Sequence, residues 1–539
     1  MKATSPVWLG VTRPSPVIRI PLPTPASAFS AIALLPIVAV YALDAGAAAW
    51  SRPAGLVPDA ASYAWSAVIA LLIGCLATLL GLALAFASGG STARLSLLAF
   101  VPLATPAFLA STGYGMLRNQ TWRPGAWLAE LAQEGHPWVI AAVDRSLAVV
   151  GLSFWAAPIA ALIVAPSATA ARERLDDPLR IDAGGFSRRL VLLSTLGAAP
   201  WLAVLGVGVL MMGSAVPLHL ARVPTAAVEL WAAQDLSPLD GRGAVWLSAW
   251  PLAAAALLAG GVITSRLMNS PAAGWGAEMS RGSTPGSSAL TRLGVLLVVL
   301  LGTVVPLGFF VSAIEHGGFG GAVAAFFRVH GEALMSSVVV ALATGACVTL
   351  LALWTAHAAA DASGRTLALA ASGWIGIALL PGMLVGALTA RVWGLLPGPS
   401  WTTDAGSMLH AHLLRLGALG VFAGLVFAAA EPSDRRDSRR LDGARTFLNW
   451  WRGSGSASPE WWVGTFLAAW MLSLNEIEAA VVVQPPGIPS LARKILGDLH
   501  FYRTQEMAIA VLVQLAMVVL VCGATGWLIG RGASERRPG

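Results

Sequence analysis

A chain of 539 residues that is 56% hydrophobic and only 11% charged is not a soluble domain, where about a quarter of residues carry charge. The net charge of +7 is better read as arginines that fix membrane topology than as a nucleic-acid footprint. Cys75, Cys347 and Cys522 lie far apart inside apolar runs, with no CxxC or Cys/His spacing, so they read as packing residues and no metal site is expected.

In chain order, residues 1–28 hold Pro and Arg without the apolar core and cleavage site of a signal peptide, and read as a cytoplasmic tail. Twelve apolar runs then follow, each long enough to cross a ~30 Å hydrocarbon core. They are 29–49, 63–87, 95–117, 138–165, 190–215, 243–265, 293–314, 334–357, 366–388, 406–430, 461–483 and 506–530. Unpaired backbone in lipid leaves only helices or closed barrels, and barrels show short alternating segments. The expected fold is therefore an all-α polytopic membrane protein of about twelve transmembrane helices. Arginines and lysines gather in the first tail, in two charged loops, in the 266–292 linker and at the C-terminus. With an even number of spans these share one side, and the positive-inside rule makes it the cytoplasm, with both termini there.

The sequence is written twice. DPLRIDAGGF (Asp177 to Phe186) and DSRRLDGARTF (Asp437 to Phe447) share a skeleton of Asp, two residues, Arg, one residue, Asp and small residues, at an offset of 437 − 177 = 260. Pro106 pairs with Pro381, Arg145 with Arg415 and Pro224 with Pro489 at offsets of 275, 270 and 265. Residues 29–265 and 293–530 thus read as two parallel six-span repeats. Between them lies a Gly-, Ser- and Pro-rich cytoplasmic linker at 266–292, and a C-terminal tail occupies 531–539. Each charged patch is expected to form one or two short cytoplasmic helices, with Pro178 and Pro432 in first turns and Gly184 and Gly443 at breaks. Orientation alone needs basic residues, not acids kept at matching positions.

The patches resemble the cytoplasmic loop of importer-type ABC permeases, whose pattern is Glu-Ala-Ala, three residues, Gly, nine residues, Ile, one residue, Leu-Pro. Asp177, Arg180, Asp182 and Gly184 fall on the motif's core, as do Asp437, Arg440, Asp442, Gly443 and Ala444. Asp stands for the leading Glu in both copies, and the Leu-Pro is missing from both. The segment SLNEIEAAVVVQPPGIPSLARKILGDLHFY (473–502) is similar to one in fused permeases for ferric iron and thiamine, and LLPGMLVG (379–386) looks like that group's Leu-Pro-Gly segment. The resemblance implies a type I importer permease with both halves in one chain, in the inner membrane. It implies two separate ATPase subunits docking on the patches, and an external or periplasmic binding protein delivering a small solute, with ferric iron the leading guess. ATP and Mg would belong to the partner ATPase. This chain has no phosphate loop, nucleophile elbow or HExxH, so it needs no cofactor and has no catalytic residues of its own.

Two other readings compete. A twelve-span secondary transporter also has a 6+6 repeat but wants ion relays in its spans. A polytopic membrane enzyme wants convergent acids or histidines at a membrane face. Glu476 and Glu478, near the outer end of the eleventh run, are candidates for pathway or gating, against the plainer reading of a hydrated helix end. Asp144 with Arg145, and His410, His412 and Arg415, read as local ion pairs or interfacial snorkelling. The flanking tryptophans, among them Trp122, Trp127, Trp138, Trp450, Trp451, Trp461 and Trp462, read as interfacial belts.

Overall fold

The computed structural model describes residues 25–48, 58–87, 101–120, 122–182, 193–236, 242–269, 289–312, 314, 318–361, 364–396, 400–442, 446–484, 488–501 and 503–535. Among them every regular element is a helix. In chain order these are α1 (Pro25–Ala48), α2 (Ala60–Ala87), α3 (Ala107–Gly115), α4 (Arg123–Gln133), α5 (Trp138–Asp182), α6 (Ala199–Met212), α7 (Val216–Leu220), α8 (Ala226–Leu236), α9 (Arg242–Ser248) and α10 (Trp250–Asn269). Then come α11 (Ala289–Val299), which continues through a π turn (Leu300–Val304) into α12 (Val305–Ser312), α13 (Phe319–Asp361), α14 (Gly364–Leu379), α15 (Gly382–Gly394) and α16 (Ser400–Ala430). The last are α17 (Ser433–Leu441), α18 (Phe447–Gly453), α19 (Pro459–Leu474), α20 (Glu478–Val483), α21 (Leu491–His500) and α22 (Thr504–Glu535).

Among the described residues seven helices are long and apolar enough to cross a membrane: 60–86, 138–165, 250–268, 293–312, 319–360, 404–430 and 505–525. The chain is a helical membrane protein on this count. The other five expected runs stand apart from these. The first falls on α1, a helix of 24 residues, and residues 199–212 are a shorter apolar helix. The 366–388 run is a pair, α14 and α15, bent by 110° at Leu380 and Pro381. The 461–483 run stops at Leu474 and restarts at Glu478. The 95–117 run breaks before Pro106, and its first residues lie outside the described ones.

The packing follows from small residues. With lipid as apolar as leucine, helices associate by close backbone approach. Gly81 of α2 lies against the Ala157 carbonyl and Ala160 of α5, so that an added Cβ would come within 2.8 Å of each. Gly420 and Gly424 of α16, one turn apart, lie against the carbonyls of Val348 and Ala352 on α13. Large apolar side chains turn the other way: Leu79, Leu258, Leu369 and Val339 are exposed on the outer faces, where lipid replaces water as their solvent. Cys75 is exposed on such a face and so does not pack in the interior as expected.

Two tryptophans also leave their expected place. Trp450 and Trp462 are buried inside the protein rather than facing outward from the span ends. They pack with Phe427, the Phe427 and Trp462 ring centroids lying 4.5 Å apart, in a cluster that also holds Phe447 and Trp451 of α18. Trp127 and Trp138 do stay exposed.

Candidate functional site: two crossings of broken helices and a charged surface helix

A break in a membrane helix frees backbone groups that lipid cannot satisfy, so other groups must. Four such breaks pair up, each pair joining an early and a late part of the chain.

The first crossing is neutral. The chain unwinds between Leu103 and Pro106, and Pro106 starts α3. The Thr105 carbonyl accepts from the Trp155 indole at 2.9 Å. The Leu103 carbonyl accepts from Asn475 Nδ2 at 2.9 Å, and Asn475 ends α19. Gln514 Nε2 of α22 then donates to the Leu474 carbonyl at 3.1 Å and to Asn475 Oδ1 at 2.5 Å.

The second crossing is ionic. α6 ends at Gly213, against Pro381, and Pro381 starts α15. The Glu478 carboxylate fills the space between them. Its Oε1 accepts from Ser214 Oγ at 2.8 Å and from the Ala215 N–H at 2.9 Å, and its Oε2 accepts from the Gly382 N–H at 3.3 Å. An anion is at home at the N-terminal end of α15, where free N–H groups and the helix dipole favour it. The space is tight: a Cβ at Gly382 would lie 2.5 Å from Glu478 Cβ. Arg415 of α16 completes the cluster. Its Nη1 donates to the carbonyls of Ala378 and Leu380 at 2.9 and 2.7 Å, its Nε reaches Glu476 at 3.4 Å and its Nη2 lies 3.8 Å from Glu478. Glu476 also accepts from the Ala479 N–H at 3.0 Å. Side chains of all three are about nine-tenths buried.

Glu476 and Glu478 are therefore brought together, and neither is a hydrated helix end. The helix expected to run to 483 stops at Leu474, and both acids turn inward. Arg415 does not snorkel or pair locally: its partners lie 35 to 63 residues away in sequence. Asp144 pairs with Arg118, at 2.5 Å, and Arg145 sits over the Trp65 ring at 4.9 Å. His412 is buried, with Nδ1 2.7 Å from Ser473 Oγ. His410 meets the Trp393 indole and the Ala33 carbonyl.

The charged patches differ from one another. In the second, Pro432 precedes α17 and Asp442 closes it. Arg439 is buried, with Nε and Nη2 each 3.3 Å from Glu431, and Ser454 Oγ donates to the same carboxylate. Asp437, Arg440 and Asp442 are exposed, and Leu441 is 88% exposed. Gly443 and Ala444 lie outside the described residues. In the first patch, Pro178 does not open a short helix. The backbone of α5 runs on as one helix of 45 residues and carries Asp177, Arg180 and Asp182 on its last turns. A proline inside a helix removes one hydrogen bond without forbidding continuation. Gly184 lies outside the described residues.

Sequence reasoning missed Ser214, Gly382, Asn475, Gln514 and the Glu431–Arg439 pair. Gln514 gave a signal, being a lone amide inside the apolar stretch VLVQLAM. Among the described residues no group of three or more His, Cys, Asp or Glu side chains could hold a metal ion. No family model, curated protein or solved structure matches this chain.

Proposed function

We propose that this chain is the membrane-spanning permease of an ATP-driven importer, both halves fused, with the ionic crossing as its gate. Helix α17 carries the reading. It is short, rooted by the buried Arg439–Glu431–Ser454 set, and presents Asp437, Arg440 and Leu441 outward. Isolated helices of this length are marginal in water. A rooted one with a charged and apolar outer face is suited to bear a load from a docked protein, here a separate ATPase subunit. A second ATPase would engage the end of α5 and Gly184. Closure of the ATPase pair would then move the two halves and break the Glu478 contacts between them.

The two-repeat reading, with twelve crossings counted over the broken helices, is supported by contacts that recur at offsets between 262 and 275. The Ser214 N–H bonds to the Met211 carbonyl and the Glu476 N–H to the Ser473 carbonyl, both atoms shifted by 262. Pro106 and Pro381, 275 apart, each start a half-helix. Ser111 Oγ meets the Pro217 carbonyl, and at the same two offsets Gly386 packs on the Ala479 carbonyl. Ser66 Oγ accepts from the Ala226 N–H, and Ser337 Oγ from the Leu491 N–H, at offsets of 271 and 265.

In this reading the chain sits in the inner membrane with both termini cytoplasmic. An external binding protein delivers a small solute, with ferric iron the first to try. Gly443→Asp is expected to abolish uptake and its coupling to ATP hydrolysis while membrane insertion stays normal. Normal uptake by that variant would remove α17 from the mechanism. The buried Arg415–Glu476–Glu478 cluster favours one alternative, a secondary transporter, since such proteins need charged groups within their spans. Uptake by the chain reconstituted without any ATPase would establish it.

A further inference from the structure

Beside the ionic crossing lies a small polar cavity between α13, α16, α19, α20 and α21. It has room for about one water molecule. Ser337, His412, Ser473, Glu476 and Ser490 supply its polar wall. Four of these five have a use elsewhere: Ser337 accepts from the Leu491 N–H, Ser490 from the Arg493 N–H, Ser473 meets His412 Nδ1, and Glu476 meets Arg415. The fifth does not. His412 is 95% buried (5% exposed), lines the cavity, and its Nε2 has no hydrogen-bond partner among the described residues.

The charge count at this place is uneven. Two buried carboxylates face a single guanidinium. Glu478 has compensation in its three hydrogen bonds and in the α15 terminus. Glu476 has one backbone N–H and a share of Arg415 at 3.4 Å. A buried carboxylate so lightly paired is costly unless a positive charge joins it. Of the other charged and titratable groups on these helices, Lys494 pairs with Asp498 at 3.2 Å and His410 meets Trp393 and the Ala33 carbonyl, while Arg328, His330, Glu332, Asp404 and Arg493 do not line the cavity. The group placed to supply the missing charge is the His412 imidazole.

We propose that this cavity is a proton site, with one proton shared through one water between His412 Nε2 and Glu476. In one state His412 is an imidazolium and Glu476 is ionised. In the other, the water takes the proton from Nε2 and gives one of its own to the carboxylate, leaving both groups neutral. The total charge is the same in each. The second state removes the ionic partner from Arg415 Nε and leaves that guanidinium to Glu478. The ligand is a proton rather than a hard metal cation, because the unpartnered wall atom is a basic nitrogen, whereas hard cations select oxygen.

The test uses the full chain in lipid nanodiscs with ¹⁵N-labelled histidine, the His412 resonance being assigned by its loss in His412→Asn. Wild type is expected to show His412 as imidazolium over part of the pH range. Glu476→Gln is expected to lose that signal at the same pH. Identical His412 spectra in the two proteins at every pH would overturn the proposal. So would a His412 signal that changes with sodium at fixed pH, which would make the cavity a metal-cation site. Should Glu476→Gln fail to fold, Glu476→Asp keeps the charge but retracts it, and the His412 titration is expected to move along the pH axis. An unmoved titration again overturns the site. The readout needs no ATPase, so failure of the permease reading and failure of this one are separate results.

Discussion

The two crossings face the same physical demand and meet it differently. In each, a proline opens a half-helix and a second broken helix passes beside it. In each, the carbonyl just before the proline is satisfied from the long neighbouring helix: Thr105 by the Trp155 indole, Leu380 by the Arg415 guanidinium. One crossing is then completed by Asn475 and Gln514, the other by Glu478. Neutral amides cost little to bury and hold their geometry. A buried ion pair adds little net stability, but losing one partner is severe. In the permease reading proposed above, the neutral crossing would stay shut and the ionic one would be the one to switch, because its cohesion depends on where a few charges sit.

Arg415→Leu should do the most damage. It strands two buried carboxylates and the Ala378 and Leu380 carbonyls. Breaking a buried pair one-sidedly costs about 3–5 kcal/mol. Thermal unfolding in detergent, followed by tryptophan fluorescence, is expected to show a large fall in midpoint, or no folded protein at all. Asn475→Ala, at the neutral crossing, should cost less. It frees the Leu103 carbonyl and one Gln514 hydrogen bond, for about 1–3 kcal/mol. If Asn475→Ala proved as damaging as Arg415→Leu, the contrast between the crossings would be wrong.

Part of this was legible from residues alone. Unbroken runs such as 63–87 and 406–430 match helices at 60–86 and 404–430, since an intact apolar helix needs only length and hydropathy to be found. The breaks at 104–106, 380–381 and 475–477 were not legible, because two or three unwound residues hardly alter the hydropathy of a window. Glu476 and Glu478 were singled out as candidates for pathway or gating, yet their burial was missed along with the end of α19. The partners of Glu478 lie 264 and 96 residues away, at Ser214 and Gly382. No spacing rule reaches that far. The short helix in the second patch was visible in Pro432 and the charged run after it. The burial of Arg439 against Glu431 was not, because an arginine that anchors and one that stays in water have the same letter.

The smallest expected effect concerns the caps of α8 and α21. Each helix has its first N–H held by a serine from a long helix, Ser66 at 2.7 Å and Ser337 at 2.9 Å. Removing a hydroxyl cap costs about 0.5–2 kcal/mol. The two removals should not be equal. α21 has a second cap, Ser490 Oγ accepting from the Arg493 N–H at 3.4 Å. At the matching place before α8 stands Thr225, whose Oγ1 is buried without a hydrogen-bond partner among the described residues. Ser66 also lies one turn from Ser62, which donates to Glu229 of α8 at 2.9 Å, so the whole first turn of α8 is tied to α2. Ser66→Ala should therefore speed amide exchange across the first turn of α8 more than Ser337→Ala does for α21. A larger effect at Ser337 would mean that the cavity beside His412, which Ser337 also lines, needs that hydroxyl for more than capping.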